Sequence, residues 1–236
     1  MSLASALDGL REAATLNAAF STSFGAEDMV LLDLIRVHEL PIHIFTLDTG
    51  RLPEATYALM QRVEALYGRC VATYFPDAGA VQRLVAENGI NGFYDSVAKR
   101  EACCAVRKLE PLARALAGRG AWVTGLRAQQ SSARAGVGLR SFDAERGLEK
   151  FNPLHDWTEA EVWDYLRGGG VPYNELHDRG YPSIGCAPCT RAVALGEDPR
   201  AGRWWWELAS AKECGLHVVG GRLVRRATTV AEAEPQ

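Results

Sequence analysis

Apolar segments of strand length alternate with amphipathic segments of helical length through the first 126 residues. The strand-like segments lie within TLNAAF, PIHIFTLDTG, RCVATYFP and AWVTGL, and segments with helical spacing of apolar residues separate them. Strands separated by helices pair in parallel, because each connection must cross back over the sheet. The pattern therefore predicts an α/β fold with a mostly parallel sheet and helices on both faces. Ligands of such sheets bind beyond the carboxyl ends of the strands.

The pattern changes in the second half of the chain. Residues 127–147 are polar, rich in Gly and Ser and aperiodic, which predicts a loop without regular structure. A further helix is predicted to begin after Thr158, because Thr158 and Glu161 have the spacing of a capping box. Beyond this helix, turn residues dominate. We therefore divide the chain into a sheet domain, residues 1–170, and a C-terminal segment rich in cysteine and arginine, residues 171–236.

Charge and hydropathy exclude several classes of protein. The net charge is −3 and the pI is about 6.0, so the chain has no general attraction to nucleic acid or to anionic membranes. No apolar run approaches the roughly 20 residues that a membrane-spanning helix needs. The N-terminal stretch MSLASALDGLREAA lacks the apolar core of a secretory signal. We expect a cytoplasmic protein that binds neither nucleic acid nor membranes.

Four of the six cysteines form two close pairs. Cysteines of a reducing compartment are more often metal ligands or catalytic groups than disulfides. Cys103 and Cys104 are adjacent in a predicted helix, and Cys186 and Cys189 have C-x-x-C spacing. Adjacent helical residues point about 100° apart, so their thiolates converge poorly on one zinc ion but can bind neighbouring irons of one cluster. The two pairs therefore favour a [4Fe–4S] cluster.

Other interpretations of these thiols stay open. A C-x-x-C pair alone is also typical of a zinc half-site or a redox pair, and buried thiols can serve no metal at all. Lys108 lies four residues after Cys104 on the predicted helix, where its charge would offset that of a thiolate-bound cluster. Cys70 lies in an apolar strand-like segment and is expected to be a core residue.

Two further motifs indicate an anion site. STSFGAEDM lies where the first strand turns into a helix, so Ser21, Ser23 and Gly25 would present hydroxyls and backbone N–H groups at a helix N-terminus. It lacks the Gly-Lys-Ser/Thr end of a P-loop. Arg127 and Arg134 follow a strand end and could pair with phosphate or sulfate oxygens, although a solvated loop is the alternative.

Positive charge also collects in the C-terminal segment, which carries Arg191, Arg200 and Arg203. Local basicity on an acidic protein suits a small dianion better than a nucleic-acid chain. Cys214 lies outside the two cysteine pairs, in AKECGLH, close to Lys212. A neighbouring cation lowers the pKa of a thiol towards the nucleophilic thiolate. On this evidence alone, Cys214 is either a nucleophile or an incidental thiol.

Taken in order, seven motifs resemble the assimilatory adenylyl-sulfate reductases of the phosphoadenylyl-sulfate reductase family. They are STSFGAEDMV, TLDTGRLPEATY, EACCAVRKLEPL, GLRAQQSSAR, GCAPCTR, RWWWE and KECGLH, and they cover the chain from about Thr15 to His217. The combination of CC, C-x-x-C and ECGLH is specific, whereas the Ser-Phe-Gly turn alone is not. The residues after His217 depart from the motifs and have no expected function.

The resemblance implies a PP-loop-type fold of the adenine nucleotide α-hydrolase kind, a [4Fe–4S] cluster and a two-step reaction. Cys214 would attack the sulfur of adenosine 5′-phosphosulfate, and reduced thioredoxin would release sulfite from the resulting S-sulfocysteine. The catalytic residues implied are Cys214, His217 and Lys108. The substrate-binding residues implied are Ser21, Ser23, Phe24, Gly25, Asp48, Arg127, Arg134, Arg200 and Arg203.

The resemblance also bears on substrate and assembly. Relatives with the four cluster cysteines use the unphosphorylated adenylyl sulfate, so this substrate is expected, with the 3′-phosphorylated form as the alternative. Homo-oligomers are compatible with the family. Two other classes stay open from the residues alone: a PP-loop ATP pyrophosphatase in thiolation chemistry, whose S-G-G-x-D-S loop is replaced here by SFGAED, and a nucleotide-binding iron–sulfur redox sensor.

Overall fold

A six-stranded sheet in the order β3-β2-β1-β4-β6-β5 forms the centre of the computed structural model, which describes residues 3–131 and 134–207. Its first five strands in this order pair in parallel, and β5 pairs antiparallel with β6 at one edge. The strands are β1 (Ala18–Ser21), β2 (His43–Leu47), β3 (Val71–Tyr74), β4 (Ala121–Val123), β5 (Arg140–Asp143) and β6 (Leu148–Phe151).

Helices cover both faces of the sheet, because neighbouring residues of the central strands point to opposite sides. Phe20 of β1 packs into one apolar core, and Ala19 beside it packs into a second core. The expected α/β class is therefore confirmed. The helices are α1 (Leu3–Ala14), α2 (Ala26–Val37), α3 (Glu54–Tyr67), α4 (Ala78–Asn88), α5 (Val97–Cys104), α6 (Glu110–Leu116) and α7 (Glu159–Gly168).

The predicted helix that carries Cys103, Cys104 and Lys108 is interrupted in the structure. A π-helical turn, Ala105–Leu109, separates α5 from α6. Pro111 lies in the first turn of α6, and it has no N–H to donate to the carbonyl of Arg107, one α-helical turn earlier. Wider turns of this kind inside helices occur frequently at functional sites. Here the wide turn carries Arg107 and Lys108, directly after the adjacent cysteines.

The predicted loop over residues 127–147 is partly wrong, because its end forms the edge strand β5. An edge strand needs little apolar surface, which explains why hydropathy did not reveal it. Arg140 of this strand pairs with Glu149 of β6 at 3.0 Å across the ladder. The prediction for α7 is confirmed: Thr158 and Glu161 form a reciprocal capping box.

After α7 the described chain proceeds through turns rather than long elements. Two 3₁₀ turns, Glu175–Arg179 and Ala187–Cys189, precede an isolated β-bridge between Thr190 and Arg203. Asn174 ties this region to the sheet domain, because its buried amide donates to the Thr56 hydroxyl of α3 at 3.0 Å. None of the helices in the described parts of the chain combines the length and apolarity that crossing a membrane would require.

Candidate active site

A cavity of about 300 Å³ lies beyond the carboxyl ends of β1, β2 and β4. The residues that follow these three strands line it, and the C-terminal segment closes it through residues 182–186, 199–200 and 203–204. This is the position at which parallel α/β sheets bind their ligands. We call it the large cavity.

Most of the predicted site residues in the described part of the chain line the large cavity. These are Ser21, Ser23, Gly25, Lys108, Arg127, Arg134, Cys186, Arg200 and Arg203. Phe24 and Asp48 do not line it. Cys214 and His217 lie outside the described residues, so their predicted roles have no structural counterpart here.

Phe24 and Asp48 were expected to contact the substrate, but the structure places both outside the lining of the large cavity. Phe24 is buried in the apolar core and has a positive φ of 59°. The Asp48 carboxylate accepts hydrogen bonds from the Gly50 backbone N–H at 2.8 Å and from the Tyr57 hydroxyl at 2.9 Å. Burial, together with this carboxylate, raises the pKa of Tyr57 to about 12. Asp48 therefore holds the turn after β2.

The serine hydroxyls of the loop after β1 were expected to be available to a ligand, but in the structure they hydrogen-bond other side chains. Ser21 Oγ accepts a hydrogen bond from Trp122 Nε1 at 2.8 Å. The backbone N–H and the hydroxyl of Ser23 both donate to Asp28 Oδ2, at 2.6 and 2.7 Å. Asp28 is buried, and this burial raises its pKa to about 6. The loop is thus organised around an internal carboxylate, and the first turn of α2 has no side-chain cap at Gly25.

The arginines of the large cavity are held against its walls. The buried Arg127 donates from Nε to Glu27 Oε1 at 2.8 Å and from Nη1 to the Trp157 carbonyl at 3.1 Å. Arg134 hydrogen-bonds the Gln130 side chain. Arg203 lies over the Trp204 ring, with its guanidinium carbon 4.9 Å from the ring centroid. Fixed cations of this kind bind an anion without first losing conformational freedom.

A second, smaller cavity of about 20 Å³ contains all four paired cysteines. Cys104 and Cys186 are buried, Cys103 and Cys189 are partly buried, and all four are free thiols. We call this the cysteine cavity. Four cationic side chains also line it: Arg51, Arg100, Arg107 and Lys108. Of these, only Lys108 was predicted from the sequence.

The four thiols of the cysteine cavity fit the ligand set of an iron–sulfur cluster. Within residues 3–131 and 134–207, no three His, Cys, Asp or Glu side chains are grouped to hold a metal ion. Arg107 Nε is buried at this cavity and has no hydrogen-bond acceptor among the described residues. Four thiols and a spare donor suit a cofactor that contains both metal and inorganic sulfur.

The thiols of the cysteine cavity have unequal affinities for a proton. Burial alone would raise the pKa of Cys186, but the charges of Lys108, Arg203 and Arg107 and a hydrogen bond to Thr49 lower it below the usual thiol value. The Thr49 hydroxyl lies 3.2 Å from Cys186 Sγ. Burial and, to a smaller extent, the negative charge of Cys186 raise the pKa of Cys189 to about 12. Cys186 is therefore more readily ionised than Cys103 or Cys189.

Three residues form the wall between the two cavities. Lys108, Cys186 and Trp204 line both the large cavity and the cysteine cavity. The wide turn after α5 supplies Lys108, and the C-terminal segment supplies the other two residues. A ligand in the large cavity can thus approach the same ammonium group that faces the thiols.

A buried ion pair joins the cysteine cavity to the last described residue. Arg100 donates from Nε and Nη2 to the two carboxylate oxygens of Glu207, each at 2.9 Å. Only 1% of the Arg100 side chain and 3% of the Glu207 side chain are exposed. The guanidinium also lies over the Trp204 ring, 4.9 Å from the centroid. The RWWWE motif in the sequence was the only sign of this arrangement.

Comparison with known proteins places these features in context. The profile of the family described as the phosphoadenosine phosphosulfate reductase domain matches residues 17–192. An adenosine 5′-phosphosulfate reductase of Allochromatium vinosum is 62% identical over 198 residues, which cover 84% of this chain and 77% of that protein. A protein of the same name from Burkholderia cepacia is 55% identical over 199 residues, covering 84% of this chain and 80% of that protein.

Solved structures show the same architecture. A phosphoadenylyl-sulfate reductase from Candida auris, crystallised as a phosphate complex, matches with a TM-score of 0.68 and 30% identity. The match covers 80% of this chain and 90% of that chain. A Candida glabrata FMN adenylyltransferase matches with a TM-score of 0.53 and 17% identity, over 79% of this chain and 64% of that chain, and shares the fold alone.

Proposed function

This chain belongs to the phosphoadenosine phosphosulfate reductase domain family, and we propose that it reduces adenosine 5′-phosphosulfate to sulfite and AMP. The observation that carries the proposal is the wall formed by Lys108, Cys186 and Trp204 between an arginine-lined cavity and a four-cysteine cavity. Relatives at 50–62% identity are named adenosine 5′-phosphosulfate reductases, which supports this proposal. The activity belongs to assimilatory sulfate reduction for cysteine biosynthesis.

The cations of the large cavity would bind the phosphosulfate group. Arg127, Arg134, Arg200 and Arg203 line this cavity together with Lys108. The oxygens of the phosphosulfate group repel an incoming thiolate, so these cations must neutralise them before a nucleophile can reach the sulfur. As the bond to sulfur breaks, negative charge moves onto the phosphate of AMP, where the same cations stabilise it.

Cys214 is the proposed nucleophile, and His217, three residues later in the sequence, is proposed to act with it. The Cys214 thiolate forms an S–S bond to the sulfuryl sulfur while the S–O bond to the phosphate breaks, so AMP leaves with the electron pair. Reduced thioredoxin then supplies two thiols. They are oxidised to a disulfide as sulfite leaves and Cys214 regains its thiol.

A [4Fe–4S] cluster is the proposed cofactor, held by Cys103, Cys104, Cys186 and Cys189. When bound, it would supply delocalised negative charge and polarisable sulfur next to Lys108. The residues of this chain that act there are the cations around the cysteine cavity, which offset thiolate charge. Lys108 also faces the large cavity, so its ammonium group orients the sulfuryl oxygens.

We also propose a domain organisation and a cellular location for this reaction. We assign nucleotide binding to residues 1–170, and the C-x-x-C ligands and the nucleophile to residues 171–236. The reaction runs in the cytoplasm with small soluble partners, and neither nucleic acid nor a membrane takes part. Self-association is compatible with this arrangement.

Reduction of the 3′-phosphorylated substrate is the second candidate function. The match to the Candida auris phosphoadenylyl-sulfate reductase favours it, at 30% identity. The relatives named for the unphosphorylated substrate are closer, at 62% and 55% identity. Measurement of kcat/KM for both substrates separates the candidates, and we expect the larger value for adenosine 5′-phosphosulfate.

Sulfite release in the presence of reduced thioredoxin tests the reaction. We expect Cys214→Ser to lose activity by more than about 1,000-fold, because the covalent step has no other nucleophile. Cys70→Ser is the matched control, since Cys70 packs against the apolar core away from both cavities. Retained turnover in Cys214→Ser removes the proposed nucleophile.

The visible absorption spectrum of protein purified without oxygen tests the cofactor. Thiolate-to-iron charge transfer gives a broad band at roughly 400 nm in cysteine-ligated clusters. We expect this band in the unaltered chain and its loss in Cys103→Ser. A colourless protein with one zinc ion per chain would contradict the cluster assignment.

A further inference from the structure

The carboxyl end of β1 places a serine hydroxyl at the large cavity. Ser21 is the last residue of β1, is partly exposed and lines this cavity. Its Oγ atom accepts a hydrogen bond from Nε1 of Trp122, the middle residue of β4, at 2.8 Å. Because an indole nitrogen donates and never accepts, the Ser21 hydroxyl keeps its own proton for a further acceptor.

The large cavity is where this further acceptor can bind. Among the residues that the structure describes, the side chain of Ser21 makes no hydrogen bond besides the one from Trp122. The indole occupies one side of Oγ, so the hydroxyl proton must point away from it. A ligand in the large cavity that carries a hydrogen-bond acceptor can therefore take this proton.

Two cations of the β5–β6 hairpin hold the Trp122 ring in place. Lys150 Nζ lies 4.7 Å from the ring centroid, and the guanidinium carbon of Arg146 lies 5.5 Å from it. Asp143 Oδ2 in turn accepts a hydrogen bond from Arg146 Nη1 at 3.0 Å. Burial lowers the pKa of Lys150 to about 8, so its ammonium group is still mainly charged at pH 7. The indole N–H thus has a fixed direction, and cations over the ring strengthen it as a donor.

Hydrogen bonds in a chain polarise one another, so a hydroxyl that accepts from a strong donor becomes a better donor itself. Resting on the function proposed above, we propose that Trp122 is a positioning residue that directs the Ser21 hydroxyl proton towards an acceptor atom of the nucleotide in the large cavity. That acceptor is a phosphate oxygen or a nitrogen or oxygen of the nucleoside. Trp122 acts through Ser21, which makes the contact.

Calorimetric titration with AMP in a double-mutant cycle tests this proposal without turnover. The proteins are full-length chains purified without oxygen: the unaltered chain, Trp122→Phe, Ser21→Ala and the double variant. We expect Ser21→Ala to weaken AMP binding about 5- to 20-fold and Trp122→Phe about 3- to 10-fold. In the Ser21→Ala background, Trp122→Phe should change the affinity less than about twofold, because both substitutions act on one contact.

A second indole controls for loss of an aromatic N–H. Trp206→Phe is matched, because Trp206 Nε1 is buried, has no hydrogen-bond partner in the described part of the chain and belongs to a residue that lines neither cavity. We expect this variant to bind AMP as the unaltered chain does.

Titration with adenosine, which lacks the phosphate, identifies the acceptor. Coupling between Trp122→Phe and Ser21→Ala that persists with adenosine assigns the acceptor to the nucleoside. Coupling with AMP alone assigns it to a phosphate oxygen.

Three outcomes would overturn the proposal. The first is an equal effect of Trp122→Phe with and without the Ser21 hydroxyl, which is the result expected if Trp122 serves packing alone. The second is a Ser21→Ala variant that binds AMP as tightly as the unaltered chain, a result that counts even if Trp122→Phe does not fold. The third is an unaltered chain that does not bind AMP, and only this outcome also contradicts the proposed function.

Discussion

Gly185 precedes the first cysteine of the C-x-x-C pair and gives Arg203 room to reach the large cavity. A Cβ atom at this position would lie 2.7 Å from the guanidinium carbon of Arg203, closer than van der Waals contact allows. The guanidinium is the flexible end of its side chain, so it would move rather than the backbone. The glycine therefore supports an arginine that is distant in sequence.

Gly185→Ala should reduce anion affinity while leaving the fold intact. Displacement of Arg203 removes one charged contact, so we expect binding of AMP or sulfate to weaken about tenfold. The melting temperature should change little. Titration and thermal unfolding measure the two quantities.

Gly168→Ala is the control, because the space around Gly168 is open and its backbone is helical. An unchanged affinity in Gly185→Ala would show that Arg203 does not bind the anion. A large fall in melting temperature would show that the backbone, rather than the side chain, gives way.

Asp28 makes stability depend on pH, because burial raises its pKa to about 6 from an ordinary value of 3.8. At pH values below the ordinary pKa, the neutral carboxyl of Asp28 contributes its full stabilisation to the folded state. This stabilisation is lost as the pH rises through about 6. Asp28→Asn keeps an oxygen to accept both Ser23 hydrogen bonds but does not ionise. Relative to Asp28→Asn, the unaltered chain should therefore lose stability between about pH 4 and about pH 7.

Urea unfolding of both proteins at several pH values measures this difference. A difference in unfolding free energy that stays constant with pH would contradict the raised pKa. Ser23→Ala is a useful companion, since it removes one of the hydrogen bonds to Asp28 Oδ2 and should raise the pKa of Asp28 further.

Single residues were predictable where their chemistry is rare. Four cysteines in two close pairs indicated a shared site, and the structure places all four around one cavity. Asp28 was missed because a carboxylate in the first turn of a helix is ordinary. Arg100 was missed because its partner, Glu207, lies more than 100 residues away in sequence.

At the scale of elements, the Arg100–Glu207 pair fastens the C-terminal segment to α5. Both side chains are almost fully buried, and two hydrogen bonds satisfy the carboxylate. Removal of one partner would leave the other charge buried without compensation, which costs far more than loss of an exposed pair.

Glu207→Ala should therefore destabilise the protein by about 3–5 kcal/mol. Glu110→Ala is the matched control: its pair with Arg114 is about half exposed, and such pairs contribute about 0–1 kcal/mol. Equilibrium unfolding in urea measures both changes. Equal, small losses in the two variants would show that the Arg100–Glu207 pair is not buried in solution.

Local patterns predicted the elements that depend on local chemistry. The capping box at Thr158 and Glu161 located the start of α7. The π-helical turn was not predicted, because residues 99–118 have continuous helical periodicity and the interruption is one of hydrogen bonding. The edge strand β5 was missed because its polar residues follow the pattern of a loop.

At the scale of the whole molecule, the parallel sheet explains why distant motifs meet. β1 lies between β2 and β4, so the loops after these three strands open at one edge of the sheet. The alternation of segments predicted the class of fold but not this strand order, which depends on the pairing of β1 with β4, whose residues, such as Phe20 and Val123, are more than 100 positions apart in sequence. The resemblance to the reductase family is confirmed by the profile match over residues 17–192.

The wall between the two cavities could not be read from the sequence. Lys108 comes from the wide turn after α5, and Cys186 and Trp204 come from the C-terminal segment, so only the assembled fold brings them together. This wall is the structural basis for proposing that sulfuryl transfer takes place next to the cysteine cavity.

The most direct test of the proposed reaction is mass spectrometry of the peptide that contains Cys214. The protein is incubated with adenosine 5′-phosphosulfate without a reductant, then digested at neutral pH. We predict that this peptide gains one SO₃ group, and that the group is lost as sulfite when reduced thioredoxin is added. Formation of AMP and sulfite with thioredoxin, while Cys214 never carries SO₃, would contradict the account.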